Sequence, residues 1–385
     1  MSNDRADEVA APDGAAATRS GARRGALSPN VQQSLVTLAS SIGAVLLAFA
    51  ICGVLLAITG KDPINAYTKM IETGFTKLKF YEMIDRATPL VISAVAVAIG
   101  FKMNLFNIGV EGQYKIATLF AAVIGAEVNL PKVIHLPFVL LVAVATGAGW
   151  AWIAAFLKVK RGVNEVISTI MLNYVALALM DYLFNEFWRD KSKTDLNVKT
   201  KPLPTSAWMP DIVAGRVSGF AIVALLVAFV YWIVVFKSRF GYRLRASGEN
   251  AVAARTSGIS SRRMIVIAML MSGGIAGLVG MQSVTGEIHA YGLGIPDNLG
   301  FNGIAVALLG RNHPLGIIAA AMLFGFLDST GAALQLEKVP SSVIAVIQAI
   351  LVLTVVIVNQ VVKKRMDRRT AQRSLEAVQT VGAAA

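Results

Sequence analysis

Ionisable side chains inside long apolar runs are where chemistry could sit in this sequence, and they are few: Glu111, Lys115, Asp181 and Asp328. A charge at the centre of a bilayer costs about 2.5–3.5 kcal/mol on insertion scales, so such a group faces a cavity or a partner rather than lipid. Glu111 is the sharpest of them. It lies in Leu105-Phe-Asn-Ile-Gly-Val-Glu-Gly-Gln113, where Gly109 and Gly112 each weaken a helix by about 1 kcal/mol relative to alanine. Asn104, Asn107 and Gln113 add polar groups in the same turns. Irregular backbone at membrane depth is tolerated only where it is buried in protein or lines a water cavity. Glu111 therefore either lines or supports a solute path, or pairs with Lys115 one turn on, or caps a freed backbone amide. Asn173, in Thr169-Ile-Met-Leu-Asn-Tyr174, has a similar choice between a path and a bond to a neighbouring helix. A second break is expected in Asp297-Asn-Leu-Gly-Phe-Asn-Gly303, where Asn302 sits beside Gly300 and Gly303. Interrupted segments in both halves of a chain point to a midplane site between them. The expected path residues are thus Asn107, Glu111, Gln113, Asn173 and Asn302.

Other chemistries are poorly served. The nearest approach to a phosphate-binding loop, Gly53-x6-Gly60-Lys61-Asp62, has the wrong spacing and lacks the Ser/Thr. No Ser-His-Asp or HExxH pattern is present, Cys52 stands alone, and His135, His289 and His313 are scattered. No catalytic residue, metal site or cofactor is expected in this chain, so energy for any transport comes from an ion gradient or another chain. A polar loop offers a handle for the latter: Arg245-Ala-Ser-Gly-Glu-Asn-Ala-Val-Ala-Ala-Arg-Thr-Ser-Gly-Ile259. Its stretch 248–258 reads as a short helix with a polar start at Glu249 and Asn250 and a glycine stop at Gly258. Such a helix suits a cleft in another protein. By contrast, Gly273-x3-Gly277 and Gly280 read as close helix packing.

These groups need membrane helices to position them. Of 385 residues, 55% are hydrophobic and 15% charged, with a mean hydropathy of +0.62. The apolar runs are continuous and lack two-residue alternation, which favours helices over a barrel. Ten segments are expected: 35–58, 87–101, 108–128, 134–157, 164–187, 218–236, 263–285, 299–310, 314–333 and 340–362. The eighth is too short to cross as a straight helix and reads as broken or re-entrant. The fold class is an all-α polytopic membrane protein. The net charge of +13 comes from basic residues at the ends of the runs, which act as topology signals and give no reason to expect nucleic acid. Lys158, Lys160, Arg161, the basic loop 237–263 and the Lys363–Arg369 cluster place both termini in the cytoplasm, with the Lys-rich loop 188–217 discordant. Residues 1–34 read as a disordered cytoplasmic tail, 35–362 as the membrane domain and 363–385 as a basic cytoplasmic tail. Outside, 61–84 reads as a short amphipathic helix (Ile64, Tyr67, Met70, Ile71, Phe75), and 188–217 carries Trp188 and Trp208, which suit a membrane interface.

Four stretches in order carry a resemblance: Phe106–Gln113, Asn164-Glu-Val-Ile-Ser-Thr-Ile-Met-Leu-Asn173, Gly248-Glu-Asn-x-x-Ala-Ala-Arg-x-x-Gly-Ile259 and Gly303-Ile-Ala-Val-Ala-Leu-Leu-Gly310. From about residue 35 to 362 the chain resembles ABC importer permeases of the simple-sugar, branched-chain amino acid and nucleoside superfamily, most of all the nucleoside type. The resemblance implies a multi-pass subunit in the cytoplasmic membrane that moves nucleosides, or alternatively ribose or another simple sugar. It implies a homologous second permease in a heterodimer, an ATPase that binds ATP and magnesium, an extracytoplasmic solute-binding lipoprotein and surrounding membrane lipid. It further implies that Gly248, Glu249, Asn250, Ala253, Ala254, Arg255 and Gly258 couple to the ATPase. Val252 departs from the wider importer pattern, which has Glu before Ala-Ala.

Overall fold

The computed structural model describes residues 29–190, 198–336 and 342–383. The expected disordered tail therefore lies outside the described residues as far as residue 28, as does 191–197 of the Lys-rich loop. Helix α1 (Pro29–Ile58) begins before the expected Leu35. Helix α2 (Pro63–Gly74) is the short amphipathic helix. Asp62 caps it, Oδ1 accepting from the amides of Ile64 and Asn65 at 2.9 and 3.3 Å, and Pro63 supplies a preset first turn. Residues 77–84, expected to continue that loop, belong instead to α3 (Lys77–Phe101), with Thr76 as its N-cap. At 25 residues α3 is about 37 Å long.

Helix α3 is the axis of the bundle. Its apolar window is 78% buried, against 28% for that of α6. Small side chains explain this: Ala94, Ala96, Ala98 and Gly100 let neighbours approach from every side. The chain then runs through α4 (Val110–Glu127), α5 (Lys132–Phe156) and α6 (Glu165–Leu183). A two-stranded antiparallel hairpin follows, β1 (Asp211–Val213) with β2 (Val217–Ser218), a small addition to an otherwise helical chain. Helix α7 (Phe220–Tyr231) comes next, and α5, α6 and α7 each end in a π-helical turn, at 157–161, 184–188 and 232–237. Two short helices, α8 (Arg239–Glu249) and α9 (Ala251–Thr256), fill the basic loop.

Helix α10 (Ser261–Gly277) ends at its glycine-rich stretch, and after a turn at 278–280 the chain is helical again over 281–287, past the expected residue 285. It packs tightly on α5: a Cβ on Gly273 would lie 2.5 Å from the Gly147 carbonyl oxygen, the close approach expected of the small-residue stripe. Helix α11 (Leu299–Leu309) has 11 residues, about 16 Å, and packs on α3. Helices α12 (Pro314–Leu336) and α13 (Ser342–Ala383) complete the fold. The basic stretch from 363 continues α13 to Ala383, because Lys, Arg, Gln, Glu and Ala all favour helix.

Among the described residues six helices are long and apolar enough to cross a membrane: 77–101, 132–161, 165–188, 220–237, 314–335 and 343–362. Apolar stretches at 42–58 and 299–309 are shorter. Large apolar side chains on the outer helices face away from the core, among them Leu141, Ile167, Ile222 and Leu225. Soluble monomers rarely expose contiguous apolar surface of this kind. The chain is an all-α polytopic membrane protein.

Candidate functional site

The first break lies between α3 and α4. Residues 102–109 are unwound, and Asn104 adopts a left-handed φ of 52°. Gly109 precedes α4 and has no side chain to cap it. Neighbouring helices supply what the local sequence lacks. Asn173, from α6, accepts from the Gly112 amide at 2.9 Å and donates to the Ile108 carbonyl at 3.0 Å. It can do so because Gly112 has no Cβ, which would sit 2.8 Å from the Asn173 Cα. Asn107 Oδ1 accepts from the Gly109 amide and from Gln113 Nε2, both at 3.0 Å. Its Nδ2 donates to Gln113 Oε1 at 3.0 Å and to Ser272 Oγ at 2.8 Å, and Ser272 donates onward to the Ala96 carbonyl at 2.6 Å. Asn107, Gln113 and Asn173 are all buried, so these bonds offset the desolvation of groups that would otherwise cost about 1–3 kcal/mol each.

The second break precedes α11. Asn298 has a φ of 64° and no side-chain bond to the helix it precedes. The cap comes from Glu111: Oε1 accepts from the Asn298 amide and Oε2 from the Gly300 amide, each at 2.9 Å. A carboxylate there also meets the positive end of the α11 dipole. Gly300 admits this contact, since its Cβ would lie 2.7 Å from the Glu111 Cα. The Tyr114 hydroxyl donates to the Pro296 carbonyl at 2.8 Å or to Glu111 Oε1 at 3.1 Å. Lys115 pairs with Asp297 and lies 3.9 Å from Glu111. The two breaks expected from sequence therefore meet, and Glu111 joins them as a helix cap.

The depth of the meeting point follows from α3. Ser93 donates to the Leu299 carbonyl at 2.8 Å. It lies about 12 Å along the helix axis from Phe101, roughly a third of the length of α3. Asn302, one turn into α11, differs from the other expected path residues. It is half-buried, and among the described residues its side-chain amide has no hydrogen-bond partner.

The polar loop is built quite differently. Asn250 caps α9 locally, its Oδ1 accepting from the amides of Val252 and Ala253 at 3.0 Å each. Gly258, with a φ of 77°, closes it, its amide bonding to the Arg255 carbonyl and that of Ile259 to the Ala254 carbonyl. Ala254 is the anchored residue, while Glu249, Asn250, Ala253, Arg255 and Gly258 are exposed and Val252 is 74% exposed. Gly248 is placed apart from these. Asn104 Nδ2 donates to its carbonyl oxygen at 2.7 Å, and a Cβ on Gly248 would lie 2.7 Å from the Met103 Cα. The loop is thus clipped to the first break. Asn104 belonged to no expected contact set. Its signal was an asparagine three residues past a helix end, the residue type that best tolerates left-handed backbone apart from glycine.

At the far end of the bundle, 198–209 lies against 285–292. The Leu203 amide bonds to the His289 carbonyl and the Thr200 amide to that of Tyr291. Trp208, expected at an interface, stacks on His289 at 3.7 Å. Burial holds the His289 imidazole below its usual pKa, which favours its neutral form.

Residues 80–358 match the family described as branched-chain amino acid transport system / permease component. The guanosine ABC transporter permease protein NupP of Bacillus subtilis is 36% identical over 81% of this chain and 91% of its own length. The glucose ABC transporter permease protein TsgB13 of Haloferax volcanii is 32% identical over 80% of this chain and 84% of its own. The nucleoside ABC transporter permease protein NupB of Lactococcus lactis is 26% identical over 88% and 96%. The chain belongs to the family of permease components that residues 80–358 match.

Proposed function

We propose, from that membership, that this chain is the membrane permease subunit of an ATP-driven importer for nucleosides in the cytoplasmic membrane. Two of the three relatives above carry guanosine or nucleoside in their names. The glucose relative keeps a simple sugar as the second reading. In this reading ten segments lie in the membrane with both termini cytoplasmic. The membrane domain spans 35–362, flanked by a tail before it and the basic extension after it. The 290–309 stretch is one broken passage, irregular outside and helical inside.

The observation that carries the mechanism is the Asn104–Gly248 clip. Helix α9 presents exposed side chains to the cytoplasm and suits a cleft in an ATPase that binds ATP and magnesium. Motion of α8 and α9 would pull on residues 103–104 and, through Asn107, on the start of α4. Glu111 would pass that displacement to α11. Asn107, Glu111, Gln113 and Asn173 would then shape the solute path as struts, while Asn302 faces the solute. A homologous second permease completes the channel as a heterodimer, and an extracytoplasmic lipoprotein delivers the solute. A strain lacking this chain and any redundant importer is expected to lose uptake of labelled nucleosides. Uptake at the normal rate would defeat the proposal.

A further inference from the structure

At the end of the bundle that holds α8, two cations and an imidazole crowd one aromatic ring. Lys102 Nζ lies 4.9 Å from the centroid of Phe236, the Arg245 guanidinium carbon 5.7 Å, and the His313 ring centroid 5.5 Å. Among the described residues none of the three has a carboxylate partner. The groups feel one another: burial and Arg245 push the Lys102 ammonium below its usual pKa, and burial and Lys102 do the same for His313. A cationic cluster with no counter-charge is electrostatically incomplete, and an anion would complete it.

An apolar groove runs into this cluster. It has a volume of about 180 Å3 and is lined by Ile99, Leu226, Val230, Tyr231, Val235 and Met271, among others. Leu226 and Val230 expose more than two fifths of their surface along it. Cluster and groove share residues: Arg245 donates to the Val235 carbonyl, and the Tyr231 ring lies 5.8 Å from Phe236. Lys237 stands 5.2 Å over the Trp232 ring close by, a pairing that marks the headgroup level of a membrane.

We propose that this groove and cluster bind one anionic phospholipid, its phosphate held by Lys102, Arg245 and His313 and one acyl chain lying along the groove. The placement of this end at the cytoplasmic leaflet rests on the function proposed above. A free phosphate would use the cluster and leave the groove empty. A second permease would fill the groove and leave the cations uncompensated.

The test uses the full-length protein, purified from membranes with its accompanying subunits and also alone. Lipid retained after gel filtration is measured by mass spectrometry with phosphatidylglycerol, with phosphatidylcholine, and with phosphatidylglycerol plus excess inorganic phosphate. Phosphatidylglycerol is expected to be retained about tenfold or more over phosphatidylcholine, a difference of about 1.4 kcal/mol, and to resist inorganic phosphate. The double variant Lys102→Gln/Arg245→Gln should reduce it to the phosphatidylcholine level. Leu226→Trp, a change on an exposed groove wall, should expel it with the cations intact. Equal retention of the two lipids, displacement by inorganic phosphate, retention unchanged in both variants, or binding by the isolated chain but not by the assembly would each overturn the site. The readout is bound lipid, so lost uptake with normal lipid retention bears only on the transport reading.

Discussion

Asparagine builds both the helix breaks and the polar loop, in opposite ways. Asn173 caps the start of α4 from another helix, and Asn107 ties that start to Gln113 and Ser272. Both are buried, and their bonds hold only if the whole bundle is assembled. Asn250 caps α9 from the adjacent residue and stays exposed, as does most of the helix it starts. The breaks are therefore a property of the tertiary fold, whereas α9 is a local unit with its surface left open. A region whose buried polar groups bond to one another is suited to hold a shape. A region with exposed side chains on a rigid turn is suited to meet a partner.

Removing the Glu111 carboxylate should break the first region most severely. Glu111→Ala leaves two amides at the start of α11 without their acceptor and Lys115 with one anion fewer. Removing one partner of a buried charged pair costs about 3–5 kcal/mol, so a large fall in the melting temperature is expected. Glu111→Gln retains an acceptor and should lose much less. Equal melting of wild type and Glu111→Ala would show that the cap does not hold the two breaks together.

Gly258→Trp should affect the second region alone. A side chain at a left-handed position costs about 1–2 kcal/mol, felt within the turn that closes α9. Membrane insertion and melting should stay near wild type while recovery of the ATPase in pull-downs falls. Undiminished recovery would remove α9 from the docking surface. Asn104→Gly tests the link between the regions. Glycine keeps the positive φ and deletes one hydrogen bond, worth about 1 kcal/mol. The ATPase should still bind and hydrolyse ATP, with less solute moved per ATP. An unchanged ratio would cut the proposed line from loop to break. The smallest stability effect belongs to Asn302→Ala, within about 0.5 kcal/mol as for changes away from any network. Its expected effect is on the KM for uptake. A clear loss of stability with KM unchanged would make Asn302 another strut.

The sequence reveals this division unevenly. The expected helix 248–258 is split at Asn250, with Gly248 and Glu249 in α8 and α9 only Ala251–Thr256, but its polar start and glycine stop are written in adjacent residues and were legible. So were the apolar runs and the two breaks, because glycine and asparagine disturb a helix wherever they fall. The partners at the breaks were not legible. Glu111 meets Asn298 and Gly300 from the other half of the chain, and no local pattern distinguishes that contact from a pairing with Lys115 one turn on. Ser272, beside the packing glycine Gly273, completes the Asn107 network. Helix α3 starts at Lys77, well before the apolar run 87–101, because its first turns are polar and only the later ones are continuously apolar. Val252 shows the reverse case. It is 74% exposed, but a valine names no particular partner.

The proposed transport cycle depends most on energy arriving from another chain through α9. Its direct test is labelled nucleoside uptake into proteoliposomes holding this permease, its paired permease and the ATPase, compared with vesicles holding this chain alone under a proton or sodium gradient. The account predicts ATP-dependent uptake by the assembly in the presence of the solute-binding lipoprotein, and none by the chain alone under either gradient. Gradient-driven uptake by the chain alone would contradict it and make Glu111 and Asp328 candidates for ion coupling instead.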